Sequence, residues 1–235
     1  MIKAMELFQL SGSLSMFADF FRDDAYPWEW LPEIEKALLA YEEKDGLKKY
    51  ISKWCQFLKL LSPSIRIGKN VHIGKNVKLP VTCTIEDNVF IGDHTEIRSG
   101  ALIRKNVIIG DHCVIGNSCE IKNSLLMDYV QVAHFNYVGD SILGPHTHLS
   151  AGAILSNLRF DNQLISVKYE GEKIPTGLRK FGAILGEGAQ VGCNAVLLPG
   201  TILGKNSVVS VGTVFGGILE SNQIIYTQQN NIVKT

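Results

Sequence analysis

Arg104 and Lys122 each directly follow an isoleucine, Ile103 and Ile121, and stand eighteen residues apart. If those isoleucines point inward in successive turns of a repeating coil, both cations point outward and stack on one edge. Like charges held that close call for an anion beside them. Solvated surface charges also occupy such positions, so the pair needs its surroundings to define it. His134 lies in the run Ala133-His134-Phe135-Asn136-Tyr137-Val138-Gly139-Asp140, where the spacing of the repeat changes. Imidazole accepts a proton near neutral pH, which suits general-base work. A lone histidine at a corner serves equally well as a hydrogen-bonded surface residue. Metal chemistry has no support: the five cysteines show no Cys-x-x-Cys or Cys/His spacing.

A beat of six positions these side chains. From Ile67 to Ala133, aliphatic or small residues recur at every sixth position: Ile67, Ile73, Leu79, Ile85, Ile91, Ile97, Ile103, Ile109, Ile115, Ile121, Met127 and Ala133. Four positions after most of them comes another small or β-branched residue, such as Val71, Val89 or Cys113. A period of six fits neither the 3.6 of a helix nor a hairpin meander; it suits flat-sided turns with one short strand per side. Runs such as Ile67-Gly68-Lys69-Asn70 and Ile91-Gly92-Asp93-His94 supply the corner residues. The beat returns at Leu185, Val191, Leu197, Leu203, Val209 and Phe215, which predicts one parallel β-helix over residues 61–219 and a tail over 220–235. It falters twice. After Ala133 the repeat residues Val138 and Leu143 come at steps of five, and thirty residues separate Leu155 from Leu185. That gap holds a polar excursion at about 156–180, long enough in a compact repeat to suggest function.

The first sixty residues follow another grammar, rich in Trp and Phe with no beat of six. Pro32 and Glu33 open a helix whose Ile34, Ala37, Leu38 and Tyr41 share one face, and a second helix is expected after Asp45-Gly46. This small helical region, 1–60, is expected to pack on the first coils or on a neighbouring subunit. The chain has 23 basic and 23 acidic residues, which argues against nucleic acid or an anionic membrane as partner. No apolar run approaches the roughly 20 residues that span a bilayer, and the start carries an early acid at Glu6, so a cytoplasmic location is expected. Cys83, Cys113 and Cys119 occupy the small inward slot and are expected as buried, reduced thiols.

The run from His134 to Asp140, followed by His148-Leu149-Ser150-Ala151-Gly152-Ala153-Ile154 and Ser156-Asn157, resembles the acetyltransferase domain of bacterial bifunctional N-acetylglucosamine-1-phosphate uridyltransferases. It is also similar to the C-terminal domain of archaeal sugar-1-phosphate nucleotidylyltransferases with amino-sugar acetyltransferase activity. The resemblance covers residues 61–219 as repeat architecture and is most specific over about 85–160. It implies a left-handed coil, against the usual right-handed crossover, and a homotrimer holding acetyl-CoA between adjacent prisms.

Carried over by residue, the resemblance implies His134 as general base and Asn157 beside the reacting amine. Arg104, Glu120, Lys122 and Tyr137 would then line the sugar-phosphate pocket. Arg supplies a fixed fork for phosphate oxygens and Lys a mobile point charge. Backbone amides around Ala151 and Gly152 would face the acetyl group of the cofactor. His148 stands in the sugar pocket where the family commonly has Asn, and Gln163 where it has Lys. No Gly-rich loop ending in Thr-Arg or Ser-Arg occurs in the first sixty residues, so no nucleotidylyltransferase activity is expected of this chain. The implied function is an acetyl-CoA-dependent N-acetyltransferase acting on an amino-sugar 1-phosphate, foremost glucosamine 1-phosphate, without metal. Two alternatives stand beside it: a catalytically inactive trimeric scaffold, and an acyltransferase using acyl carrier protein on a nucleotide sugar.

Overall fold

The computed structural model of the protein describes residues 2–45 and 64–228. The chain forms the expected parallel β-helix. Eight strands, from Ile65–Ile67 to Val214–Phe215, stack as a first face. Eight more, from Val71–Ile73 to Ile218–Leu219, make a second face, and seven, from Glu96–Ile97 to Ile224–Ile225, a third. Residue Ile224 pairs with Val208, so the coil runs past residue 219 and takes in the start of the segment expected as a tail over 220–235.

Inward residues explain the coil. On the first face Ile85, Ile103, Ile121, Val138, Leu155 and Leu197 form an unbroken apolar column, each buried. At the corner between the first and second faces, Asn70, Asn88 and Asn106 adopt left-handed φ values of 54°, 58° and 61°, which asparagine tolerates better than other residues with a Cβ. Their amides also bond along the edge, Asn70 Nδ2 donating to Asn88 Oδ1 at 3.1 Å and Asn88 Nδ2 to Asn106 Oδ1 at 3.3 Å.

The column corrects one part of the sequence reading. After Ile121 the inward residues are Leu126, Val132, Val138, Leu143 and Leu149, and not Met127 and Ala133. Both short steps therefore fall at the corner between the first and second faces, at Lys122-Asn123 and Gly139-Asp140. A regular turn has three residues there, Arg104-Lys105-Asn106. Strand register agrees: Val107 pairs with Ser124 and Glu120 with Tyr137, each a separation of seventeen instead of eighteen. The corner holding His134 has normal length, His134 lying opposite Asn117. Hydrophobicity alone misplaces the step because Leu125, Leu126 and Met127 are all apolar and all buried, Leu126 within the coil and the other two outside it.

The outside is buried because the helical region covers the second face. The middle residue of each strand points outward there, and Phe90, Ile108, Leu125, Ile142, Ile184 and Ile202 are each no more than 1% exposed. They pack against Phe8, Phe17, Trp28, Trp30 and Ile34. The helix Glu33–Asp45 begins with acids in its first turn and buries Ile34 and Ala37, as expected. Phe17 meets Phe90 edge-on at 5.2 Å, and Trp28 lies 6.4 Å from Phe181. Burying one such side chain contributes about 2 kcal/mol, so a row of them makes this cap integral to the coil. Of the two docking modes expected, the cap uses its own chain. The second helix expected after Asp45-Gly46 lies outside the described residues.

Polar contacts pin the cap to the corner between the second and third faces. Asp93 accepts the amide of Lys75, Asp111 that of Asp93, and Asp128 that of Asp111, at 2.7, 2.7 and 2.9 Å. Ser13 Oγ then donates to Asp111 and Ser11 Oγ to Asp128, both at 2.7 Å.

The excursion is a hairpin, Ser166–Tyr169 antiparallel to Glu172–Pro175. Ile165 and Val167 are buried in the cluster that includes Phe181 and the cap. Gly200, at φ +82°, lets the hairpin lie flush on the coil, since a Cβ there would sit 2.7 Å from Ile165 Cγ2. Cys83, Cys113 and Cys119 are buried, and burial pushes the Cys113 thiol up to about 12. Among the described residues, no helix is long and apolar enough to cross a membrane.

Candidate functional site

The second shortened corner carries a carboxylate that organises its surroundings. Asp140 is buried, with backbone φ of 49°. Its Oδ1 accepts a bond from Asn123 Nδ2 at 2.8 Å, while Oδ2 accepts one from Lys122 Nζ at 3.4 Å and one from Asn157 Nδ2. Asn157 Nδ2 also donates to Tyr137 Oη at 3.1 Å. Gly139 is the floor of this cluster: a Cβ would stand 2.5 Å from Tyr137 Oη and 2.7 Å from Asn157 Nδ2. Lys122, Tyr137, Asp140 and Asn157, drawn from three turns, thus form one connected network. Burial, and after it the Asp140 charge, raises the Tyr137 hydroxyl above its ordinary range, so it remains protonated at neutral pH.

Arg104 and Lys122 stack as their spacing implies, because Ile103 pairs with Ile121 in adjacent strands. Each has an acid of its own. Arg104 Nη1 donates to Glu120 Oε1 at 2.9 Å, a bond that raises the Arg104 pKa, and Lys122 bonds Asp140. The two cations therefore sit in a charge-balanced array. Both side chains of the Arg104–Glu120 pair are more than a third exposed, so the pair itself adds little to stability.

His134 stands apart from this network, at the opposite end of the first face, one corner before Tyr137. Its side chain is exposed, its ring lies 6.4 Å from that of Phe135, and its backbone N–H donates to Asn136 Oδ1 at 2.9 Å. Asn136 is buried in the inward slot that Cys119 and Ala153 occupy in neighbouring turns. Its Nδ2 donates to the carbonyls of Ser150 at 2.6 Å and Ala153 at 3.3 Å, and its Oδ1 also accepts from Cys119 Sγ at 3.5 Å. A fully bonded buried amide of this kind fixes a single backbone course. It holds the corner that presents His134 and Phe135.

Ala151 and Gly152 form the same corner one turn on. The Gly152 amide donates to the His134 carbonyl at 2.9 Å, which removes it as an oxyanion donor. The Ala151 amide donates to no group among the described residues. His148 is half-buried in the middle of the third face, paired with Gln131 and Gln190, and so lies around the corner from Tyr137. The structure unites Arg104 with Glu120, and Lys122 with Tyr137 and Asn157; it sets His134 and His148 apart from them within the chain. Among the described residues, no group of three His, Cys, Asp or Glu side chains could hold a metal ion.

Sequence reasoning missed Asp140 and Asn136. Asp140 follows a glycine just as Asp93 and Asp111 do and looks like another corner acid; its signal was the shortened step. The signal of Asn136 was a polar residue in a slot filled elsewhere by Cys83, Ala101, Cys119 and Ala153.

Residues 68–160 match the family model described as the EIF2B subunit epsilon LbH domain, and residues 182–215 match that of the hexapeptide repeat of succinyl-transferase. The bifunctional protein GlmU of Methanococcus aeolicus is 35% identical over 114 residues, 48% of this chain and 28% of the relative. The bifunctional sugar-1-phosphate nucleotidylyltransferase/acetyltransferase of Sulfurisphaera tokodaii is 38% identical over 79 residues, 34% of this chain and 20% of the relative. The chain thus spans between a fifth and three tenths of the length of these two curated relatives. A putative acetyltransferase structure from Bacillus cereus aligns with a TM-score of 0.43 at 16% identity, covering 68% of this chain and 77% of that one.

Proposed function

We propose that this chain, whose coil is a hexapeptide-repeat domain related to those of the archaeal GlmU-type enzymes, is an acetyl-CoA-dependent N-acetyltransferase. Its acceptor is an amino-sugar 1-phosphate, with glucosamine 1-phosphate the first to test, on the route to UDP-N-acetylglucosamine. The observation that carries this reading is the network of Lys122, Asp140, Asn157 and Tyr137 on the face that His134 borders.

In the proposed reaction the neutral acceptor amine attacks the thioester carbonyl, forming the C–N bond. His134 takes the proton that the nitrogen sheds, and the C–S bond breaks to release the thiol. Asn157 and the Ala151 amide are donors suited to the amide product and the developing oxyanion. Tyr137, kept protonated, and Arg104 with Glu120 and Lys122 contact the sugar and its phosphate. His148 and Gly152 would line the site from their neighbouring positions. Because His134 and the network stand at opposite ends of the first face, the reading includes a homotrimer in which an adjacent prism completes the cleft. Its setting is the cytoplasm, with no nucleic acid or membrane partner.

Purified protein is to be assayed for thiol release from acetyl-CoA with glucosamine 1-phosphate and galactosamine 1-phosphate. Turnover with either, lowered about a thousandfold in His134→Ala, is the expected result. Binding of CoA without transfer to any amino sugar would instead favour the scaffold reading, which Gln163 and the self-paired cations support.

A further inference from the structure

The cations of the network are matched within the protein, Arg104 by Glu120 and Lys122 by Asp140. Two unmatched ones lie together on the hairpin. Lys168 and Lys173 face each other directly across its two strands, a like-charge pairing that destabilises a sheet unless something neutralises it. Among the described residues, neither has an ion-pair partner. Strand alternation fixes their direction: Val167 and Ile174 form the neighbouring cross-strand pair on the face turned to the cap cluster, so the lysines occupy the opposite face. Nor is the hairpin a loose loop. Thr176 Oγ1 donates to the Ile165 carbonyl at 2.7 Å, and the Ile165 amide to the Leu178 carbonyl at 2.8 Å.

Both lysines line a cleft of about 500 Å³, together with Arg159, Gln163 and Ser166. It continues into a larger one, about 800 Å³, that shares Arg159, Ser166 and Lys168 and is otherwise bounded mainly by apolar groups such as Leu158, Val196, Leu198 and Pro199. Phe160, wholly exposed, stands at its wall. Arg159 is occupied by Asp161, which leaves two free ammonium groups beside neutral donors and an apolar trough.

We infer that the hairpin is an anion site, in which Lys168 and Lys173 hold the phosphate groups of a small molecule whose less polar portion lies in the adjoining cleft. Phosphate is common to the nucleotide end of CoA and to an amino-sugar 1-phosphate. Assigning the phosphate to one of them rests on the acetyl-transfer reading; the anion site does not.

Calorimetric titration of the full chain with inorganic pyrophosphate, CoA and glucosamine 1-phosphate tests this. In K168Q/K173Q, affinity for pyrophosphate and for one of the two larger ligands should fall about tenfold, from loss of two charge-assisted contacts. Salt dependence of binding should flatten with it. K168R/K173R should retain affinity, and K69Q/K75Q, which removes equal charge from exposed corners of the first turns, should change nothing. Weakening of CoA alone assigns the phosphate to the thioester, and weakening of glucosamine 1-phosphate alone assigns it to the acceptor. Affinities within twofold across all variants, or no binding of any probe to the unsubstituted protein, overturn the site. Absence of acetyl transfer with lysine-dependent pyrophosphate binding would sink the enzyme reading and leave the anion site standing; turnover with unchanged affinities would do the reverse.

Discussion

The first and second faces are built from strands of the same spacing and the same inward column, yet they meet opposite fates. On the second face the outward middle residues run Phe90, Ile108, Leu125, Ile142, Ile184, Ile202 and are sealed by the cap. On the first they run Thr84, Leu102, Glu120, Tyr137, Ile154, Val196, and the polar members in the middle carry the candidate chemistry. Inward residues thus determine that a coil forms, while a single outward position per strand determines whether a face becomes packing surface or site. Shortening both corners on the shared edge between these faces adds the third ingredient, setting Lys122 and Asp140 within reach of each other.

The division of labour can be broken from either side. His134→Ala should lower kcat by about a thousandfold, the range for loss of a general base, while leaving the melting temperature within a degree or so; a rate within threefold of the unsubstituted enzyme would remove His134 from the mechanism. Ile108→Ala, on the sealed face, should cost about 3 kcal/mol in urea denaturation with no change in KM. Leu102→Ala, the partly exposed counterpart on the open face, should cost less than about 1 kcal/mol. Similar losses for the two would mean that a partner covers the first face as completely as the cap covers the second. Asp140→Asn should fall between the faces, losing about 1 kcal/mol of stability from its charged hydrogen bonds and roughly tenfold in kcat/KM as Lys122 and Asn157 lose their anchor.

The smallest effect is an alkaline one. The Cys113 thiol has its pKa raised by burial from 9.0 to about 12, so the folded protein retains that proton where the unfolded chain sheds it. Its contribution to stability is full below pH 9 and declines as pH rises towards 12. Melting curves should show Cys113→Ala less sensitive to pH across that window. Iodoacetamide at pH 8 should label the exposed Cys193 well before Cys113 or Cys119, as read by peptide mass spectrometry.

Much of this was legible in residue spacing. The six-residue beat specifies the coil because an inward slot every sixth position leaves no other way to bury so many aliphatics. The excursion and the helix at Glu33–Asp45 are likewise marked by where periodicity changes. What spacing could not reveal was the use of the second face. Triplets such as Val107-Ile108-Ile109 present apolar side chains on both sides of one strand, so the inward member is ambiguous, and Met127 falls on the beat of six while packing outside the coil. Asp140 was hidden for a different reason. Its role depends on hydrogen bonds to residues seventeen positions away on either side, Asn123 and Asn157, and corner acids with purely local duties share its sequence context.

The cap has a consequence for how the chain comes off the ribosome. Its aromatic side chains are synthesised before the coil, but Trp28 must await Phe181, and the Leu7 carbonyl must await the Glu187 amide that it accepts at 2.9 Å. Until those turns have been wound, part of the apolar surface of the cap has no partner from the coil. Chaperones that bind emerging apolar segments would find a target in the cap, and its release would follow translation of the turn that carries Phe181 and Glu187.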